Sequence, residues 1–458
     1  MVFRLFSSLL GRAAPTPATP GPGAGGPPSI PGALPTRSAP PPHAAALAAA
    51  RLSEPPPDWS PTAEVGHLCR PLLGAGGVLA GLEMAPLGEP VRPQSPVQHA
   101  QRHAAVRAVF GAMQSALGQH PLALAELSLR DLFLCQAEPL CRRGMYLVLR
   151  PDESSRDARA VAALLRRLRQ AGACLGWRPE DAGADGLPGR PDFLALSVPQ
   201  RDHGPAWESA IGAATTAWPE LPLLLLDPLP LPLAERLLQG PVVMSAASVG
   251  LCEAPLGADA PSALALRLLP VLGLLGRLDE SRARQALRHG DPLVTQHLLS
   301  ELNQMPGMPT GGVTTLAQAR KRHGDDALRE ASLRLLARSA PRRPGTPLLH
   351  ALALARARLL HRLGQQQHEP QAPMLYVLGL ATVIPELLQA DVDDCLARLL
   401  LPPEALAAIA EQEGPWMRYL TLLRALERND LVAVEALSAG FGGLGPVLQA
   451  LRSAWLGP

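Results

Sequence analysis

The stretch Asp291–Ala340, "DPLVTQHLLSELNQMPGMPTGGVTTLAQARKRHGDDALREASLRLLARSA", decides the architecture of the second half of this chain. Asp291 offers a carboxylate to the free N–H groups of a first helical turn, and Pro292 suits the first helical position because it has no N–H to leave unpaired. Val294, Leu298 and Leu302 then recur on one face. His323 and Gly324 stand at a helix end, where Asp325 and Asp326 are expected to cap the next helix. Thr346–Pro347 repeats the start signal, Leu348, Leu352, Ala355, Leu359 and Leu363 line one stripe, and Gly364 offers a stop. Asp391 can cap "VDDCLARLLL", and two or three further helices are expected before Pro458. Residues 262–458 therefore read as an all-helical domain whose leucine faces can bury one another, so it should fold alone.

Working back from there, the texture changes. From about Val65, "HLCRPLLGAGGVLAGLEMA" reads as strand, glycine turn, strand. A helix around "VQHAQRHAAVRAVFGAMQSALG" carries Val106, Val109, Phe110 and Met113 on one face. Then apolar strands alternate with helices: "MYLVLR", the helix Asp157–Ala171, "DFLALSV", a helix around Trp207–Trp218, "LPLLLLD", "LAERLLQG" and "PVVMSA". Continuous apolar strands between amphipathic helices indicate a parallel sheet covered on both faces, and repeated βα units favour a (β/α) barrel over residues 62–255. Residues 1–61 are dense in Pro, Ala and Gly and should be disordered, since they cannot bury enough surface to offset chain entropy. Phe3, Phe6, Leu9 and Leu10 could form one apolar turn there, but the run is short and ended by Arg12, so neither a cleaved signal nor a stable membrane insertion is expected.

Composition agrees with a helix-rich protein. Of 458 residues, 47% are hydrophobic but only 3% aromatic, so Leu and Ala do the packing. The net charge is +2 and no basic tract is interleaved with aromatics, so nucleic acid is not an expected partner. Lysine occurs once, at Lys321. The six cysteines show no metal or redox spacing and read as free thiols in a reducing cytoplasm. "GAGGVLAG" lacks the Lys-Ser/Thr of a phosphate loop and reads as a hairpin turn. No Gly-x-Ser-x-Gly elbow is present.

Asp291, Pro292, Leu298, Leu299, Asn303, Thr315, Gly324 and Leu328 fall where an HDOD domain carries its own such residues, and the helical half resembles that family. "LHALALARARLLHRLG", with Arg356 and Arg358 at matching arginines, "MLYVLGLATVIPELL" and "LLLPPEALAAI" extend the likeness. "RPLLGAGGVLAGLEM" is similar to the opening of an EAL domain, with Glu83 at the signature glutamate. Together, roughly residues 65 to 445 resemble the EAL–HDOD (YuxH-like) architecture of bacterial signalling proteins. The resemblance implies an EAL-type barrel, whose active members hold two divalent cations on strand-end carboxylates beside a lysine, followed by a helical protein-interaction domain.

Measured against that pattern, this chain has lost its functional atoms. Glu126 stands near the expected metal-binding Asn, and Leu149 and Arg150 replace the glutamate strand. Gly176 and Trp177 stand at the Asp-Asp pair, Ala195 and Ser197 replace the Lys and Asp, and Asp227 ends a strand without ligand company. Hard divalent cations need about six oxygen ligands each, so one matching carboxylate does not make a two-metal centre. The helical half lacks a His-Asp dipeptide: His323 is followed by Gly324, and His361 and His368 lie seven apart in what reads as a loop. The expectation is therefore a non-enzymatic protein with no catalytic, cofactor-binding or metal-binding residues and no cofactor. It would be a cytoplasmic scaffold of bacterial signal transduction with protein partners, and cyclic-di-GMP is not an expected ligand. The alternative is a residual cyclic-di-GMP phosphodiesterase or receptor, and a third reading is a structural dimerisation module.

Overall fold

A computed structural model describes residues 67–87, 96–181, 187–198, 205–252, 262–275, 291–305 and 312–456. The Pro/Ala/Gly-rich segment 1–61, with Phe3, Phe6, Leu9 and Leu10, lies outside the described residues.

The apolar runs of the first half form eight strands: β1 His67–Gly74, β2 Leu79–Pro86, β3 Leu122–Ser128, β4 Met145–Arg150, β5 Cys174–Trp177, β6 Phe193–Leu196, β7 Leu223–Pro230 and β8 Val242–Ser248. They close in sequence order into a barrel. From β2 to β8 every neighbour is parallel, whereas β1 runs antiparallel to both β2 and β8. The exception follows from "GAGG": Ala75–Gly77 is a single tight turn with Gly76 and Gly77 at φ +77 and +76, and so short a link can only join antiparallel strands. Between the other strands lie α1 Pro96–Leu117, α2 Leu129–Leu134, α3 Ala158–Gln170, α4 Pro205–Ala217 and α5 Leu231–Leu237. Val106, Val109, Phe110 and Met113 of α1, and Val161, Leu164, Leu165 and Leu168 of α3, are buried as their spacing predicts.

Alternation divides the strand side chains into two cores. One set packs outward against the helices. The other fills the lumen with Leu72, Leu122, Leu124, Val148, Phe193, Ala195, Leu224, Leu226, Met244 and Ala246.

The second half is helical in every described element: α6 Ala263–Leu275, α7 Pro292–Gln304, α8 Leu316–Ser339, α9 Thr346–Gln366, α10 Ala372–Ala381, α11 Ile384–Leu388, α12 Val392–Arg398, α13 Pro403–Leu406, α14 Met417–Glu427, α15 Leu431–Ser438 and α16 Leu444–Leu456. Asp291, Thr315 and Asp391 cap α7, α8 and α12 through their side chains, as their positions predict. Gly324, at φ 78 and ψ 179, kinks α8 as expected; Asp325 and Asp326 there hold Arg320 and Arg329. Four details differ from the sequence reading. Gly345, not Thr346, is the N-cap of α9, and Pro347 takes the second helical position. Gly364 does not stop that helix, which runs on to Gln366. A Cβ at Gly364 would lie 2.5 Å from Leu375, and one at Gly379 would lie 2.6 Å from the Ala357 backbone, so these glycines let α9 and α10 approach closely. His361 sits inside α9, edge-on to Tyr376 at 6.2 Å, and not in a loop. Four helices, not two or three, follow α12.

Because β1 reaches β2 through a hairpin, no crossover helix links the two strands. Helix α1 reaches β1 from the barrel side, and α9, α14 and α16 of the helical region pack on it as well. Barrel and helices thus belong to one compact unit, residues 64 to 458. The most buried charged side chain among the described residues is Arg356 of α9, 1% exposed. It grips Glu427 in bidentate fashion (2.7 and 2.9 Å) and donates to the carbonyls of Val249 (2.5 Å) and Gly250 (3.2 Å), just after β8, and to Thr382 Oγ1 (3.1 Å). The Cys252 N–H adds a bond to the Thr382 carbonyl at 3.0 Å. Arg343 makes a second tie, pairing with Glu235 of α5 (3.2 Å) and Glu386 of α11 (2.5 Å). Among the described residues no single helix is long and apolar enough to cross a membrane.

Candidate functional site

In parallel barrels, chemistry gathers where strands end, because the loops there are free to vary over a rigid frame. At that end the lumen changes from leucines to charged side chains. Arg70 of β1 and Glu83 of β2 are cross-strand partners in register. The Arg70 Nε donates to Glu83 Oε2 at 2.5 Å, and its Nη2 donates to the carbonyl of Leu226 on β7. Both side chains are about nine-tenths buried. Glu83 is thus held by a guanidinium that reaches on across the lumen.

Glu126 ends β3 between two more arginines, Arg178 at 3.0 Å and Arg150 at 3.6 Å. The Nε atoms of Arg150 and Arg178 are buried with no hydrogen-bond partner. Asp227 of β7 accepts from Ser197 Oγ and from the Val198 N–H, each at 2.7 Å, which joins β6 to β7. Gly176 faces Phe193 so closely that a Cβ would lie 2.2 Å from its ring, so the phenylalanine fills the space where a carboxylate on this strand would project. Trp177 and Leu149 point the other way, into the outer core, and Ala195 lies in the apolar lumen.

Beside the mouth, Asp131 caps α2 with Ser128 and takes a bidentate pair from Arg102 at 2.8 and 2.6 Å. Burial alone would raise its pKa, but the Arg102 hydrogen bonds and charge, with Ser128, bring it below the ordinary carboxylate value. Sequence reading overlooked this pair, and also Arg178. The spacing of "LRD" after a strand end, a capping signature, could have flagged Asp131.

The residues present do not fit a two-metal centre. The carboxylates of Glu83 and Glu126 are engaged by arginines, and no cluster of three or more His, Cys, Asp or Glu side chains suited to a metal occurs among the described residues. His323, His361 and His368 are likewise not gathered with carboxylates into such a cluster. All six cysteines are free. Cys69, Cys135, Cys141, Cys252 and Cys395 are each pushed up to about 12 by burial, so they persist as thiols rather than nucleophilic thiolates.

No protein-family model matches the chain, and no curated protein matches it. Among solved structures, it is similar to the Bacillus subtilis YkuI protein, which has an EAL domain and was crystallised with substrate c-di-GMP and calcium. The TM-score is 0.30 at 12% identity, over 40% of this chain and 52% of that one. The chain thus matches about half the length of that protein.

Proposed function

We propose that this chain is a non-catalytic signalling or regulatory scaffold of bacterial signal transduction: a degenerate EAL-like barrel joined to an HDOD-like helical region that binds protein partners in the cytoplasm. One observation carries the reading. The two glutamates at the barrel mouth, Glu83 and Glu126, are each neutralised by arginine. A divalent cation at Glu83 would have to displace a buried guanidinium from its carboxylate and then sit beside its uncompensated charge, at an energy cost a few oxygen ligands do not recover, and at Glu126 it would meet two arginines. Support for the protein-binding half comes from the helical region itself, with its cationic groove and its ties to the barrel through Arg356 and Arg343.

The test is a hydrolysis assay of the full-length protein on cyclic-di-GMP with magnesium or manganese. No turnover is expected. Turnover that Glu83→Ala abolishes would replace the scaffold with a phosphodiesterase whose ligand set had been rebuilt.

A second reading, a cyclic-di-GMP receptor, is favoured by one feature: Arg150 and Arg178 share a single carboxylate, and Arg178 keeps its Nε without a partner, which suits an anion. Calorimetry separates the two. The scaffold reading expects no binding, and micromolar or tighter binding lost in Arg178→Ala would establish the receptor.

A further inference from the structure

A groove of about 620 Å³ opens between the end of α7, the last turns of α8 and the start of α9. Its floor is apolar, from Ala337, Ala340, Pro341 and Pro347, and its walls carry Arg334, Arg338, Arg342, Arg343, Glu301 and His350. Four guanidinium groups thus face one carboxylate.

The pairings show which donors stay free. Arg334 spends Nε and Nη2 on Glu330, which lies outside the groove, and leaves Nη1. Arg338 gives Nη1 to Glu301 at 2.6 Å and keeps Nε and Nη2, with 64% of its side chain exposed. Arg343 is committed to Glu235 and Glu386. Arg342 is exposed and makes no ion pair among the described residues. His350 Nε2 is buried at the groove without a hydrogen-bond partner. Free guanidinium edges are forks shaped for carboxylates, and a neutral imidazole nitrogen with no partner accommodates one more hydrogen bond. The volume is many times that of a single water, about 30 Å³, and the apolar floor adds a surface for aliphatic side chains.

We propose that this groove docks an acidic segment of a protein partner, its carboxylates on Arg334, Arg338 and Arg342 and an apolar residue on the Ala–Pro floor. The inference deepens the scaffold reading and rests on it. The groove also lies where partner binding can be felt by the barrel. Arg343 ties its wall to Glu235 of α5, the Gly345 N–H donates to the same glutamate at 2.6 Å, and the Pro344 backbone packs against Gly77.

The probe is a fluorescein-labelled oligo-glutamate peptide titrated with the full-length protein by fluorescence anisotropy. Saturable binding is expected, weakened about tenfold by Arg342→Glu and also weakened by Arg338→Ala. Lys321→Glu, an exposed charge on the same helix outside the groove, should leave it unchanged. Arg342 has no ion-pair partner among the described residues, so its variant should melt like the parent, which keeps the result readable if Arg338→Ala disturbs Glu301. The proposal is overturned by absent binding, by Arg342→Glu binding as tightly as the parent, or by equal weakening in Lys321→Glu. Equal competition from a single-stranded oligonucleotide of matched charge also overturns it, since that would show a general polyanion surface. Cyclic-di-GMP turnover in the same preparation would defeat the scaffold reading while leaving the peptide titration to stand by itself.

Discussion

In the barrel, charged side chains close on their near neighbours: Arg70 on Glu83 across one strand pair, Arg150 and Arg178 on Glu126, Ser197 on Asp227. In the helical region, the principal arginines reach out of their own region. Arg356 ends on carbonyls of the chain leaving β8, and Arg343 on a glutamate of a barrel helix, while Arg342 points to solvent. The difference teaches where each half can act. A site whose charges satisfy one another has little left with which to bind a cation, whereas a region whose arginines bridge and protrude can hold a neighbour and receive a partner. The variants below test that contrast, beginning with the largest effect.

Removing the bridge should hurt most. Arg356→Ala leaves Glu427, the Val249 and Gly250 carbonyls and Thr382 without their donor, at a cost of about 3–5 kcal/mol. Chemical denaturation of the full chain measures it. A loss under about 1 kcal/mol, the range of an exposed pair, would mean that Arg356 does not clamp helices to barrel.

Acid should loosen the same junction. His67 of β1 packs against the helical region, and burial first, then the charge of Arg452 on α16, holds it down to about 4 from its ordinary 6.5. Its folded value lies below its unfolded one, so its contribution is complete above pH 6.5 and is lost as pH falls from 6.5 towards 4. The full loss is about 3 kcal/mol. Stability followed against pH should show this slope, and His67→Leu should flatten it in part. Burial also lowers His350 and His361 in the same direction, so some slope remains. An unchanged slope in His67→Leu would place the acid sensitivity away from the junction.

Within the helices, Gly379→Val pushes a side chain onto the Ala357 backbone and should cost about 1–3 kcal/mol by overpacking. A thermal melt of this variant, compared with Gly440→Ala, whose Cβ would meet nothing within 4 Å, tests whether the close contact of α9 and α10 anchors the region.

The two halves were also unequally legible in the sequence. Capped amphipathic helices announce themselves locally, and Asp291, Thr315 and Asp391 cap where their spacing placed them. Gly364 misled because a glycine required for close packing carries the same letter as one that ends a helix. The barrel strands were readable as apolar runs, and the hairpin of β1 and β2 from "GAGG". Three of the helices packed on β1, α9, α14 and α16, are hundreds of residues away in sequence, so a junction held by Arg356 left no local trace. At the mouth, sequence could register that Gly176 and Ala195 bring no charged group to their strands. It could not register that Phe193 packs against Gly176 or that Arg178 reaches Glu126, because both depend on which strands become neighbours.

The barrel's glutamates are committed to arginines, and we propose that they hold no metal pair. Titrating full-length protein with manganese, and following the free ion by electron paramagnetic resonance, tests it most directly. The account predicts no loss of free-ion signal beyond weak surface binding, and the same trace for Glu83→Ala. Two tight manganese ions per chain, lost in Glu83→Ala, would contradict it.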